Sequence, residues 1–468
     1  MLLSVLMSLR RSRRALPVAA LFFGLVSLRG EPDATTGTLP EDYLPALKTI
    51  LQAALKQSPQ TIALEIDVSL NEARVYDAVA QRLPNVSGDL DYARNQTSIS
   101  GNSSTQTQNN GLFYRFGVNQ PVFHWGALKN QSDAAHIRVS IAEKHYAEAY
   151  RLLAVALRRD YLSLVVDKAR LRLSRFSLRL AEADLALTKD NFAHGRTPGA
   201  EVGGKQLDFD DASLRLERDE TRFAGARRAF AREAGLPDLP EAELPDDLPE
   251  PAYNATTAAE VLAGVLRGGA KSAFETQIHE LEIHVADLEY NVARVRLLPK
   301  FNARAEYSLE NNTTATAVSV QQQGVAQETV TLNAQWTIFD GFARHGAMLE
   351  ALAKKRLHER ELKNSVDGTL DKAQSLQREL GLDVRALRIA LIRRDQAGVG
   401  LKQAKEEVER GNLPKSSIDG ATANLYRYES ENDYARATFL AHWSEFVSLA
   451  GTDPVLDNLP AHYARDKP

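Results

Sequence analysis

The side chains best suited to chemistry are ten histidines in a chain of 468 residues that has no cysteine. Without cysteine there is no thiolate nucleophile, thiolate zinc site, disulfide or acylated lipoprotein cysteine. His279-Glu280-Leu281-Glu282-Ile283-His284 has the outline of a zinc-protease helix, in which two histidines stand four positions apart on one face. Here the spacing is five, which turns the rings to different helix faces, so the segment reads as a solvated surface. His124, His136 and His145 have no acidic or thiol cluster beside them, and His194 falls at a turn. Gly398-Val399-Gly400 lies inside a helical pattern, whereas a phosphate-cradling loop must join a strand to a helix. No metal site and no cofactor are read from these patterns, and the chain reads as a non-enzyme.

The elements that carry these residues are long. Between Pro121 and Pro198 there is no proline, and apolar residues return every seven positions at Tyr150, Leu157, Leu164, Leu171, Leu178, Leu185 and Phe192. Parallel registers run through Leu162, Ala169 and Phe176, and through Val166, Leu173, Leu180 and Leu187. A seven-residue repeat predicts a supercoiled helix, and three registers predict packing on more than one side. At ~1.5 Å per residue the rod reaches roughly 100 Å. Adding 216 to each number repeats the pattern, pairing Phe123 with Phe339, Leu164 with Leu380, Gly195 with Gly411, Pro198 with Pro414 and Gly235 with Gly451. One offset kept for over a hundred residues marks a duplication.

The chain divides accordingly. Arg10, Arg11, Arg13 and Arg14 followed by Ala15 to Leu28 read as a secretory signal over residues 1–30. The first repeat is expected over 31–235, opening on a flexible leader to residue 40. It holds strands at about 84–99 and 112–123, joined by a polar loop over 100–111, and a helical hairpin over 126–235. A proline-rich acidic linker covers 236–256. The second repeat spans 257–452, with strands at about 299–310 and 329–339 and a hairpin over 342–451. A loose tail is expected over 453–468.

The five arginines among residues 1–30 are the only charges there, so the remainder carries 52 basic against 61 acidic side chains. That acidity gives no basis for nucleic-acid binding. The strands alternate apolar with polar residues, as at Val86, Gly88, Leu90 and Tyr92. Four such strands cannot close a membrane barrel, which needs about eight or more, so several chains must share one wall. Aromatic residues near the strand ends, including Tyr92, Tyr114, Trp125, Tyr307 and Trp336, suit a membrane interface.

The duplication, the Leu-Pro before each first strand, the segment Asn119-Gln120-Pro121-Val122-Phe123 with Thr337-Ile338-Phe339-Asp340-Gly341, and the two helical turns resemble the TolC-like outer membrane efflux proteins. The resemblance implies a mainly α, internally duplicated fold with a small β part. A homotrimer would complete a twelve-stranded outer-membrane barrel that continues into a periplasmic helical tunnel. The implied partners are further copies of the chain, outer-membrane lipid, a periplasmic adaptor and an inner-membrane pump, with no nucleic acid. The implied role is a passive exit duct for efflux or type I secretion.

The same resemblance assigns the tip and adaptor-docking turns to Gly195, Arg196, Pro198, Gly411, Asn412 and Pro414. Glu201, Ser417 and Asp419 become candidate pore-entrance residues. Pro121, Phe123, Phe339, Asp340 and Gly341 become strand-to-helix junctions. Ser417 replaces an acid of the usual turn, and Gly420 stands where some members carry a ring-forming aspartate. The rival reading is a soluble periplasmic coiled-coil scaffold or adaptor, but an adaptor needs one hairpin where this chain has two.

Overall fold

The computed structural model describes residues 39–99, 105–268, 270–315 and 319–459. The expected signal segment lies outside these residues, as do most of the leader, the head of the first polar loop, and the last nine positions. The chain begins with α1 (Pro40–Tyr43), α2 (Pro45–Gln57) and α3 (Pro59–Ala80). Ser58 caps α3 by accepting the Gln60 N–H, with Pro59 at the first helical position, where its missing donor costs nothing. Strands β1 (Asn85–Ile99) and β2 (Thr105–Phe123) follow, then the rod α4 (Ala127–Ala193) and its return α5 (Gly199–Glu233). The second repeat supplies α6 (Ala255–Gly268), α7 (Phe274–Arg294), β3 (Lys300–Ala315), β4 (Val320–Gln335), α8 (Ala343–Glu409) and α9 (Ser416–Leu449). Shifting the bounds of α4 by 216 gives those of α8.

The four strands form one antiparallel meander in the order β1-β2-β3-β4. Register keeps unlike faces apart. Val86 pairs with Val118, which pairs with Ala305, which pairs with Val330. One residue along, Ser87, Gly117, Glu306 and Thr329 form the next rung, and side chains on successive rungs point to opposite faces. The sheet thus has an apolar face carrying Leu90, Tyr114, Phe116 and Tyr307, and a polar one on which Arg115 pairs with Glu306 at 3.4 Å.

Pairing also runs further than the apolar pattern. Thr105 to Gly111 pair with Ile99 to Ala93, and Asn311 to Ala315 pair with Gly324 to Val320. Residues 105–111, within the segment expected as a polar loop, are therefore strand, as are the polar stretches 311–315 and 320–328, because the ladder is made by backbone groups and uncharged polar residues do not oppose it. At the other end β4 stops at Gln335, opposite Lys300 where β3 begins. Trp336 to Phe339, expected as strand, have no remaining partner on β3.

α4 is the central rod, packing on α3, α5, α7 and α9, while α8 packs on α6, α7 and α9. Leu157, Leu164, Leu171 and Leu185 of the seven-residue stripe are buried, as are Leu162 and Val166 of the neighbouring registers. Each such side chain contributes about 1.5–3 kcal/mol through removal from water. Leu47, Leu51 and Leu55 of α2 complete this core together with Leu239, Leu244 and Leu248. The proline-rich segment between repeats is thus a strap laid on the rods.

Arg158 of α4 is fully buried and donates to both oxygens of Glu41, to Asp453 at 2.5 and 2.9 Å, and to Ser444 at 3.1 Å. Burial alone would lower the guanidinium pKa; hydrogen bonds and negative charge from Asp453 and Glu41 outweigh it and raise the value. Asp453 is buried as counter-ion, and Val455 and Leu459 follow it into the core. Residues 453–459, expected as loose tail, are packed for this reason.

Candidate functional site: two turns, two junctions and an open sheet

The turns are set by glycine. Gly195 and Gly411 have φ of +69° and +79°, a region open to glycine without steric cost. Around each, the last helical carbonyls are satisfied by the same pair of bonds. Gly195 N donates to Phe192 O and Arg196 N to Asn191 O, while Gly411 N donates to Val408 O and Asn412 N to Glu407 O. This is the Schellman arrangement. Gly235 and Gly451 close the return helices with positive φ in the same way.

Pro198 stands at the N-cap of α5 in extended conformation, and Pro414 precedes the start of α9. In the second turn Glu407 also accepts from Asn412 Nδ2 at 2.7 Å and from Arg410 at 2.6 Å. Glu201 and Asp419 are exposed in the first turns of α5 and α9, where the helix dipole favours an acid. Ser417 is half-buried beside Asp419.

Each turn is held from within its own hairpin. The hairpins meet along α4 and α9, through Arg158–Ser444, Arg172–Glu429 at 2.9 Å, and the edge-on rings of Phe176 and Tyr426 at 5.2 Å. These contacts advance antiparallel in step, which carries Gly195 to the level of the second turn. Toward that end the stripe loses its cover. Leu187, Phe192, Leu207 and Leu413 are exposed.

At the opposite end of the rods, Pro121 pairs with Asn302, and the register shifts before Phe123 meets Phe301. Phe123 packs edge-on against Trp125 at 4.9 Å, and Phe339 against Phe342 at 5.5 Å. Asp340 accepts the Arg344 N–H at 2.8 Å and pairs with Arg296 at 3.4 Å, fixing the start of α8. Gly341 and Phe342 both have positive φ, as do Trp125 and Gly126.

The offset of 216 aligns these pairs, so each junction uses two left-handed residues, one glycine and one aromatic, in opposite order. Sequence reading passes over Gly126 and Phe342, because neither order alone announces the shared geometry. Trp125 Nε1 donates to Pro299 O at 2.7 Å, and Trp336 Nε1 to Leu297 O at 3.0 Å. Each tryptophan thereby ties a junction to the Leu297–Pro299 entry of β3.

A hollow of about 860 Å³ lies between α3, α4, α7 and α8 and is lined by Arg74, Asp77, Arg138, Glu289, Glu350 and Lys354 among others. Arg138–Glu289 and Lys354–Glu289 pairs occupy its wall.

Residues 50–235, within the first repeat, match the family model described as outer membrane efflux protein. The whole chain has the fold of solved outer membrane channels. A membrane protein from Pseudomonas aeruginosa superimposes with a TM-score of 0.64 at 16% identity, covering 95% of this chain and 97% of that one. The Campylobacter jejuni CmeC outer membrane channel gives 0.68 at 13% identity, covering 94% of each. The open state of the Neisseria gonorrhoeae MtrE outer membrane channel gives 0.64 at 14%, covering 94% and 97%. No curated protein sequence matches the chain. The resemblance drawn from the sequence is borne out by the match over residues 50–235 and by the fold. Among the described residues no helix is long and apolar enough to cross a membrane.

Proposed function

We propose that the chain is one part of a homotrimeric exit duct. Its sheet contributes one third of a barrel wall, and its rods contribute one third of a periplasmic tunnel. The observation that carries this reading is the sheet itself. β1 and β4 are each paired on one side only, and an apolar face spans all four strands. In a bilayer every backbone donor and acceptor needs a partner, and a closed barrel is the solution available to strands. Joining β4 of one copy to β1 of the next satisfies both edges. It also turns Val86, Val118 and Val330 to lipid and the Ser87–Glu306 rung to the lumen.

Transport through such a duct is passive, and energy comes from an inner-membrane pump reached through a periplasmic adaptor. The turns at Gly195–Pro198 and Gly411–Pro414 are the proposed docking points, with exposed Phe192 and Leu413 supplying apolar contact. Glu201 and Asp419 border the entrance. Their removal as Glu201→Gln with Asp419→Asn is expected to lower cation preference, and an unchanged preference would count against that role. The duct itself is tested by the conductance of detergent-purified protein in a planar bilayer. Steady trimer-sized channels are expected. Protein that carbonate washes from membranes and that leaves a bilayer silent would refute the reading and favour a soluble scaffold.

A further inference from the structure

We propose that α7 and α8 together form a binding site for a divalent transition-metal ion, with His279, Glu282, His358 and Glu361 as ligands. The two helices each present a histidine and, three positions later, a glutamate, which a helix places on one face. Packed side by side, they bring the four side chains into a ring in which imidazole and carboxylate alternate. His279 Nδ1 lies 2.9 Å from Glu282 Oε2, and Glu282 Oε2 lies 2.8 Å from His358 Nδ1. His358 Nδ1 lies 3.1 Å from Glu361 Oε2, which lies 3.7 Å from His279 Nδ1. All four ligand atoms fall within 4.8 Å of one another, and the two imidazole rings stack at 6.2 Å.

The spacing suits a metal. With bonds of roughly 2.1 Å, neighbouring ligands are roughly 3.0 Å apart at right angles and roughly 3.4 Å apart in a tetrahedron. The four edges bracket those values, so small side-chain rotations suffice. Pairs of carboxylate and imidazole at i and i+3 on facing helices are a way in which helical bundles build metal centres. Two nitrogens and two oxygens select a borderline ion such as Cu²⁺, Ni²⁺ or Zn²⁺. Ca²⁺ takes six to eight oxygens, and Cu⁺ prefers sulfur. His279 and Glu361 also line a hollow of about 590 Å³ with Glu275, Asn364 and Lys372, which leaves an approach for the ion and for completing water.

The first repeat gives an independent argument. α3 and α7 begin 215 residues apart and α4 and α8 begin 216 apart, offsets that place Leu64 and Ala142 where the second repeat has His279 and His358. Ala142 is buried, and Leu64 packs against the core. Asp67 and His145 stand opposite Glu282 and Glu361, so the first repeat keeps two polar positions and the second repeat adds the two histidines that complete the quartet. Its effect would be to fasten α7, which leads into β3, to the rod α8.

The test uses the full, untagged chain in detergent, stripped with chelator and titrated calorimetrically with Zn²⁺, Ni²⁺ and Cu²⁺ in turn. Binding of one ion per chain and a metal-dependent rise in Tm are expected. The variant His279→Leu/His358→Ala installs the first repeat's residues and is expected to fold, yet to lose at least ~100-fold in affinity, more than outer-shell changes typically cost. Glu361→Gln alone should weaken binding less. Absence of stoichiometric binding by all three ions, or equal binding by the double variant, would overturn the proposal. The outcome is independent of the duct, since a conducting trimer with no metal affinity refutes only this inference.

Discussion

The two repeats share their element bounds and differ in what covers them. Val166 of α4 is buried, whereas Leu382 at the same place on α8 is 59% exposed. Arg158 of the first repeat is fully buried among carboxylates; its counterpart Gln374 is exposed. Conversely Asp433 on α9 is buried under the strap at Leu248, while Glu217 at the same place on α5 is exposed. A duplicated sequence thus supplies one central rod and one marginal rod. The marginal rod's stripe, Leu382 and Ile389 seven apart, with Ile392 and Val399 also seven apart, is about half exposed among the described residues and has the spacing of a coiled-coil seam. A neighbour for that seam is the central inference of the proposed ring.

The largest contrast is expected from charge placed on that stripe. Val166→Asp should prevent folding, whereas Leu382→Asp should leave a folded chain that no longer assembles. Circular dichroism together with size-exclusion mass in detergent separates the two outcomes. If Leu382→Asp assembled like the parent, the bare stripe would not be an interface.

Next in size is the ion cluster found in one repeat only. Arg158→Ala strands Glu41 and Asp453 as buried charges and should cost about 3–5 kcal/mol. Gln374→Ala should fall within about 0.5 kcal/mol of the parent. Thermal unfolding of both variants measures the difference, and similar losses would mean that the cluster does not set the asymmetry.

Asp433 comes third. Burial pushes its carboxyl from the ordinary 3.8 up to about 6, against the opposing pull of the Leu248 N–H and Arg436. Its Oδ1 accepts that N–H at 3.2 Å, while Oδ2 is buried without a partner. Between about pH 4 and 6 the folded chain holds a proton that the unfolded chain has released, so stability falls as pH rises through this window. Asp433→Asn should remove that slope and gain on the order of 1–2 kcal/mol at pH 7. Stability-against-pH curves of Asp433→Asn and the parent would record both, and Glu217→Gln, at an exposed position, should stay within about 0.5 kcal/mol of the parent.

The smallest effect belongs to His442, which faces Asp383 at 2.7 Å, where the offset of 216 puts Ala226 and Asp167 in the first repeat. The hydrogen bond to Asp383 raises the imidazole pKa despite burial, with Glu379 and Glu445 adding to it. The pair's contribution is fully present below the unfolded value of about 6.5 and is lost as pH rises through the elevated folded value. His442→Gln should cost about 1 kcal/mol at pH 5.5 and less at pH 9. A loss equal at both would assign the effect to packing.

Much of this was legible in the sequence. The offset of 216 carries α4 onto α8 residue for residue, and the turn glycines follow from it. The seven-residue stripe marks which residues of α4 are buried near its middle, though not that the cover ends toward Phe192. What sequence does not display is cooperation between distant segments. The polar stretches around residues 105–111 and 320–328 look like loops, because only their backbones hold the ladder. Asp453 looks like tail until Arg158 is seen to need it. His279 appears as half of a failed zinc pair with His284, since its ring partner His358 comes from the next long helix. Glu201 and Asp419 read as polar positions at helix starts, and the entrance role proposed for them depends on neighbours from further copies of the chain.

The mass of the detergent-purified protein under native conditions tests the central claim most directly. The account predicts a single species of three chains that resists dissociation until the helices unfold. A stable single chain, folded and indifferent to outer-membrane lipid, would contradict it.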